Sequence, residues 1–449
     1  MMKRIFYFLL ILVACAACQN DDSFSTSQYT LLTFPEDTLQ MDTVFSRTAS
    51  STYTFWVFNH NSDGIHLQNV RLARKNQTGF RVNVDGSYLD NGNGSQVNDL
   101  EIRGKDSLLV FVELTAVETS QLEPKLVEDQ LVFTLESGVE QKVCLRAWAW
   151  DAERISNLTV EKDTVIESER PVIVTGSLTV AEGATVTLRH TTLYFHDQAD
   201  IQVFGTLHTE NCVMRGDRLD HMFDYLPYDR VSGQWGGLHF HETSTDNTLI
   251  DTEIRNATAA VVCDSAAVDS LSPRLTMERC IVHNAEGTGV EAVNTYLILK
   301  DCQLTNTLGS CLAVYGGIAE INGCTLAQFY PFSADRGAAL YFTNSWNGEP
   351  LPLLKMHCEG SILTGYEDDV VMGVPVDTLT AFNYHFANTL LRTPKVETAD
   401  SVYFSDIQWE SPKDSIQGKK HFKVIDEDNL YYDFHLDSLS TAIGLGCYR

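Results

Sequence analysis

One pattern repeats through the second half of the chain. Leu275-x-Met277-x-x-Cys280-x-Val282-x-Asn284 returns as Leu297-x-Leu299-x-x-Cys302-x-Leu304-x-Asn306 and again as Ala319-x-Ile321-x-x-Cys324-x-Leu326-x-Gln328, at steps of 22 and 22 residues. A fixed step of that size marks stacked coils, because one copy cannot bury its own apolar face and must lay it on the next. Upstream, Val186-x-Leu188-x-x-Thr191-x-Leu193, Leu207-x-Thr209-x-x-Cys212-x-Met214 and Leu249-x-x-Thr252-x-Ile254-x-Asn256 fit the same template. Downstream, Met356-x-Cys358-x-x-Ser361-x-Leu363 and Tyr384-x-Phe386-x-x-Thr389-x-Leu391 fit with longer loops. Three short strands of that combined length make one turn of a parallel β-helix, and strand alternation puts every named apolar residue inside the tube.

On these repeats the chain resembles the right-handed parallel β-helix proteins of the pectate-lyase-like superfamily over residues 153–449. Residues 172–186, beginning Val172-Ile173-Val174-Thr175-Gly176, look like the opening coil of that family, and Asp433-Phe434-His435-Leu436 through Gly444 looks like its closing segment. The resemblance implies a fold but no particular activity, since this fold hosts lyases, hydrolases, epimerases, tailspikes and adhesins. The polygalacturonase-like and pectate-lyase motifs of the family do not occur.

Ahead of the repeat, residues 29–150 give short alternating runs such as Thr52-Tyr53-Thr54-Phe55-Trp56-Val57-Phe58 and Leu108-Leu109-Val110-Phe111-Val112, separated by Asn, Asp and Gly. These read as the strands of an immunoglobulin-like β-sandwich whose disulfide is missing, because Cys144 has no partner there. The expected class is therefore all-β, a sandwich followed by a right-handed parallel β-helix. Residues 1–17 carry a basic start and a short apolar run ending in small residues, the pattern of an export signal. Cys18 in Ala16-Ala17-Cys18, with Cys15 as the alternative, resembles the acylated cysteine of a bacterial lipoprotein. The acidic stretch that follows, within a tether of residues 18–28, resembles the surface-export tag of Bacteroidetes lipoproteins. These features predict an outer-membrane, lipid-anchored protein facing outward, its partners being membrane lipid through the acyl chains and a polysaccharide or surface protein.

A formal charge of −28 repels phosphate backbones, so nucleic acid is excluded as a partner. After residue 20 no window approaches the ~20 apolar residues of a membrane helix. Eleven cysteines in an exported chain invite a disulfide map. Stacked coils, however, hold equivalent side chains parallel at ~4.8 Å, too far for a disulfide, so Cys280, Cys302 and Cys324 read as buried free thiols acting as small hydrophobes. His239 and His241 flank Phe240 on an outer wall and read as a solvated pair with no visible third ligand, so no metal and no cofactor are expected. Glu367-Asp368-Asp369 reads as a solvated loop. Ten Asp-Ser or Asp-Thr pairs stand before an apolar residue, among them Asp269-Ser270-Leu271 and Asp377-Thr378-Leu379. They resemble a bacterial O-glycosylation site and equally spell a turn before a strand.

Two insertions carry aromatics that a coil wall does not need: residues 217–235, with Tyr225, Tyr228 and Trp235, and residues 329–350, with Tyr330 and Trp346. Both start after the same strand of their coils, so they are expected on one edge, four steps of ~4.8 Å or ~19 Å apart, spanning an extended glycan or peptide. The favoured function is binding or adhesion without chemistry, through Tyr225, Tyr228, Trp235, Tyr330 and Trp346. The alternative is a polysaccharide lyase or glycoside hydrolase using Asp217, Asp220, Asp224 and Asp229. A third reading is a structural envelope component.

Overall fold

The computed structural model describes residues 23–75, 78–410 and 418–448, so Cys15 and Cys18 lie outside the described residues. The chain divides after Asp151 into two compact units. In the first, strands Thr38–Phe45, Glu140–Trp150, Lys125–Leu135, Ile65–Leu72 and Gln96–Ile102 form one sheet in that spatial order, and Tyr53–Phe58, Ser107–Leu114, Phe80–Val84 and Ser87–Tyr88 form the other. Alternation along Ile65–Leu72 and Ser107–Leu114 buries one side of each strand. Leu67, Val82, Val110, Phe133 and Leu145 meet in a dry core, as a sandwich requires. Cys144 is a free thiol.

The second unit is a parallel β-helix with three faces, all-β as the repeat predicts. Each coil runs through one strand of each face, for example Leu275–Glu278, then Ile281–Ala285, then Val290–Val293. Leu275 pairs with Leu297 and Leu297 with Ala319, so the 22-residue step is one coil in register. The repeat's inward residues, from Leu275 and Met277 to Ile321 and Leu326, are fully buried.

The corner from first to second face explains the small-residue position. The residue before it takes a left-handed backbone at Asp251 (φ 47°), Arg279 (φ 50°) and Asp301 (φ 51°), turning the chain within one residue. The small residue then donates to the carbonyl two residues back: Thr252 to Ile250 at 2.9 Å, Cys302 to Lys300 at 3.2 Å, Ser361 to Glu359 at 2.9 Å and Thr389 to Ala387 at 2.7 Å. Cys, Ser and Thr interchange because the corner selects a compact donor. The thiols are therefore hydrogen-bonded corner groups as well as small hydrophobes, and those of Cys280, Cys302 and Cys324 are free and buried.

The chain's last parallel strand among the described residues is Gln408–Trp409. Residues 433–444 do not close a coil; they belong to a cap of residues 418–448 that folds back over the second face. Its hairpin, Phe422–Asp426 with Tyr431–Leu436, sets Phe422 and Phe434 against Phe329, Ala327 and Ile362. The outward positions Ala327 and Ile362 are apolar, and leaving them wet would forfeit ~25 cal/mol per Å² of buried area.

Candidate functional site

Above the cap the second face turns polar. Around the inward Ile254, Val282 and Leu304, alternation points Glu253, Arg255, Ile281, His283 and Gln303 outward. Part of this face is roofed by the cap through Tyr431, Tyr432, Asp433 and Tyr448 and by a loop through Asp229 and Arg230, leaving an open cleft of about 450 Å³. Glu253 lies 3.3 Å from the Arg255 guanidinium. His283 shares a hydrogen bond with Thr305 at 2.9 Å, and burial, with Arg255 adding repulsion, pulls its pKa down to about 4. It is thus neutral at ordinary pH. Burial alone would raise Asp433, but hydrogen bonds from the backbone and ring of His435 outweigh it and hold the carboxyl below its usual range. Tyr448 donates to Gln303 at 2.9 Å, fixing the cap's end to the floor.

The loop of residues 217–235 is tied along the tube by the repeat's own asparagines. Asn256 donates to the Asp229 carbonyl and Asn284 to the Arg230 carbonyl, each at 3.0 Å. Further along, Ser232 and the Tyr330 hydroxyl share a bond of 2.8 Å. The two insertions therefore touch, and no open gap of ~19 Å separates them for a ligand to span. The second insertion is also two loops. Tyr330 follows Thr325–Gln328 on the second face, while Trp346 sits in a hairpin after Leu340–Thr343 on the third, edge-on to Tyr315 at 4.5 Å.

The expected binding aromatics divide accordingly. Trp235 is 1% exposed, stacked on Phe195 at 4.1 Å inside the tube, with its indole N–H donating to the Arg255 carbonyl. Opposite it in the next coil stands Ala257, whose small side chain leaves room for the ring. Tyr330 is buried as well, and Tyr228 lies under the Arg218 guanidinium at 3.9 Å. These rings staple their loops and do not face a ligand. Tyr225, 78% exposed beside Phe223, is the freely presented one of the five.

Of the four carboxylates expected to do chemistry, Asp217 bonds His196 at 2.8 Å and Asp220 takes a fork from Arg218 at 2.7 and 2.6 Å. Asp224 is exposed on the hairpin of this loop. Asp229 alone reaches the cleft, with one carboxyl oxygen buried and without a hydrogen-bond partner. Sequence reasoning passed over Glu253, His283 and Asp433. The signal for the first two is present in the x positions of the repeat, where the second face carries Glu253-x-Arg255 and Ile281-x-His283 on successive coils.

No family model matches the sequence, and no curated protein is similar to it. Among solved structures, the chain is similar to the Agl-KA catalytic domain, at 10% identity and a TM-score of 0.27, covering 80% of this chain and 80% of that one. It is similar also to the catalytic unit of a thermostable GH87 alpha-1,3-glucanase from Streptomyces thermodiastaticus, at 12% identity and a TM-score of 0.27, covering 80% of this chain and 89% of that one. A third is a PapD-like domain of human CEP192, at 11% identity and a TM-score of 0.19, covering 28% of this chain and 88% of that one. The sequence favours binding without chemistry, whereas the two structures matched over 80% of the chain are both titled as catalytic units.

Proposed function

We propose that the chain is a glycoside hydrolase acting on a polysaccharide in the second-face cleft, with Glu253 and Asp229 as its carboxylate pair. The observation that carries this reading is the convergence of three acids from three separate segments, Glu253 on the floor, Asp229 on the loop and Asp433 on the cap, in one open cleft. Hydrolysis of a glycosidic bond needs one carboxyl group to protonate the leaving oxygen and a second to activate water or attack carbon. A chain lying along the floor meets Glu253 from below and Asp229 from the side. Tyr431 and Tyr432 give a wall on which sugar rings can pack, and Gln303 and Asp433 offer acceptors to hydroxyls.

Product analysis on neutral and acidic polysaccharides tests the reading. Glu253→Gln and Asp229→Asn are each expected to cut turnover by about 10²- to 10⁴-fold at unchanged melting temperature. Asp224→Asn, at its exposed position, is expected to leave turnover unchanged. Reducing-end release that survives in both cleft variants would exclude this site, and an unsaturated sugar product would identify a lyase.

The same proposal places the enzyme on the outer face of a Bacteroidetes outer membrane, supported by Ala16-Ala17-Cys18 and the acids after it. Cys18→Ser is expected to release the protein from membranes and Cys15→Ser to leave it bound, measured by fractionation. Protease shaving of intact cells that leaves the protein whole would contradict the outward orientation.

A further inference from the structure

The third face carries a second cluster of chemistry-bearing side chains. In Gly237–Phe240 the inward Leu238 and Phe240 leave His239 outside, with His241 directly after the strand. The next coil pairs Val261–Cys263 with Leu238–Phe240 and runs on into Asp264, whose amide donates to the Phe240 carbonyl at 3.0 Å. His239 Nε2 stands 2.8 Å from Asp264 Oδ1, and His241 Nδ1 stands 3.2 Å from Asp264 Oδ2. One ligand atom from each of the three lies within 4.8 Å of the others. The two histidines are therefore not a freely solvated pair. Their third partner is 23 residues beyond His241 in sequence and adjacent only once the coils stack.

The hydrogen-bond geometry points to a cation. The Gln202 amide nitrogen donates to Asp200 at 2.6 Å, which turns the amide oxygen of Gln202 toward His241 Nε2, also at 2.6 Å. An amide oxygen can only accept, so Nε2 carries the hydrogen. A neutral His241 then presents the Nδ1 lone pair to a carboxylate oxygen, and two acceptors at 3.2 Å repel unless positive charge lies between them.

The surroundings are built to hold these groups still. Phe204 stacks on the His241 ring at 4.0 Å. Arg274, itself buried, donates to the carbonyls of Phe240 at 3.1 Å and Ser244 at 3.0 Å, and also to those of His241 and Asp264. The backbone at His241 and Asp264 is thereby pinned. Gln202 occupies the place of the outer hydrogen-bond partner that orients a metal-ligating imidazole.

We propose that His239, His241 and Asp264 bind a first-row divalent metal ion, zinc or a close neighbour, that ties two coils together. Two imidazoles and one carboxylate suit such an ion and leave positions open to water, consistent with side-chain exposures of 34%, 22% and 41%. The site is on a different face from the cleft and does not depend on the hydrolase reading.

The test uses the full chain, stripped with chelator and titrated with Zn²⁺ or with Co²⁺ as a coloured probe. One saturable equivalent, a rise in melting temperature and a visible cobalt spectrum are expected. Asp264→Asn and His241→Ala should each weaken binding at least 100-fold, and Gln202→Leu about 10- to 100-fold. His357→Ala, in a stacked histidine pair elsewhere on the tube, should leave binding intact. X-ray absorption of zinc-loaded wild type needs no variant and should show nitrogen and oxygen ligands with imidazole scattering. No saturable binding, a sulfur ligand at zinc, or full affinity in Asp264→Asn would overturn the proposal.

Discussion

Cys302→Asp is expected to prevent the β-helix from folding, while Cys302→Ser leaves it folded. Cys302 is fully buried, and its thiol donates to the carbonyls of Lys300 at 3.2 Å and Met277 at 3.4 Å. Burial pushes its pKa well above the ordinary thiol range, so the site rejects negative charge even from its native group. A carboxylate there meets two carbonyl oxygens, and the Cys280 amide and thiol are too weak as donors to offset its burial. It must either stay charged without a counter-charge or bind a proton, and both cost several kcal/mol. The damage spreads, because each coil is held by its two neighbours. Serine keeps a compact donor at the corner, as Ser361 does natively. Alanine loses the donor and is expected to cost about 1 kcal/mol. Circular dichroism melts and native alkylation measure this; an Asp variant melting like wild type would show that water reaches the corner.

The second large effect is at the far end of the tube. Glu410→Ala is expected to destabilise the unit by about 3–5 kcal/mol, because it removes the buried counter-charge of a buried guanidinium. The side chain of Arg392 is 0% exposed and that of Glu410 2%, and the two lie 3.5 Å apart. Thr364 donates to the other Glu410 oxygen at 2.7 Å, and His421 of the cap lies 3.6 Å from the first. Arg392 also donates to the Glu367 carbonyl at 2.6 Å and pairs with Asp368 at 3.3 Å. The acidic run at residues 367–369 is thus not a freely solvated loop but partly the lid of this network. An arginine cannot shed its proton to escape, so without Glu410 its charge loses its buried counter-ion and keeps the exposed Asp368. Replacing Arg392 and Glu410 together by Met and Leu should recover much of the stability, because the desolvation cost vanishes along with the attraction. Urea melts of the single and double variants separate the two cases. The single variant is also expected to open the cap to proteolysis, since His421 is one of its anchors.

How far the site was legible depends on how local its causes are. The triplets Asp269-Ser270-Leu271 and Asp377-Thr378-Leu379 show the turn they spell, the aspartate accepting from the amide two residues on at 2.9 and 2.8 Å. The insertion at 217–235 was visible as an interruption of the repeat, and Asp229 within it does reach the cleft. Trp235 misled because a tryptophan in a loop looks like a binding platform. Its burial depends on Ala257 of the following coil being small, which no count along the loop reveals.

By itself the sequence determined the coil period, the inward positions and the corner residues, because strand alternation and the left-handed turn act within a few residues of chain. Tertiary structure alone decided which outward groups meet. Tyr448 bonds Gln303 across 145 residues, and Arg230 bonds Asn429 across 199. His239 finds Asp264 only because one coil rests on another in register. Outward positions show which residues share a face but not what covers them: inward packing constrains each coil against its neighbours, whereas the cap and loops bring distant segments to the outer wall through contacts that no local pattern encodes.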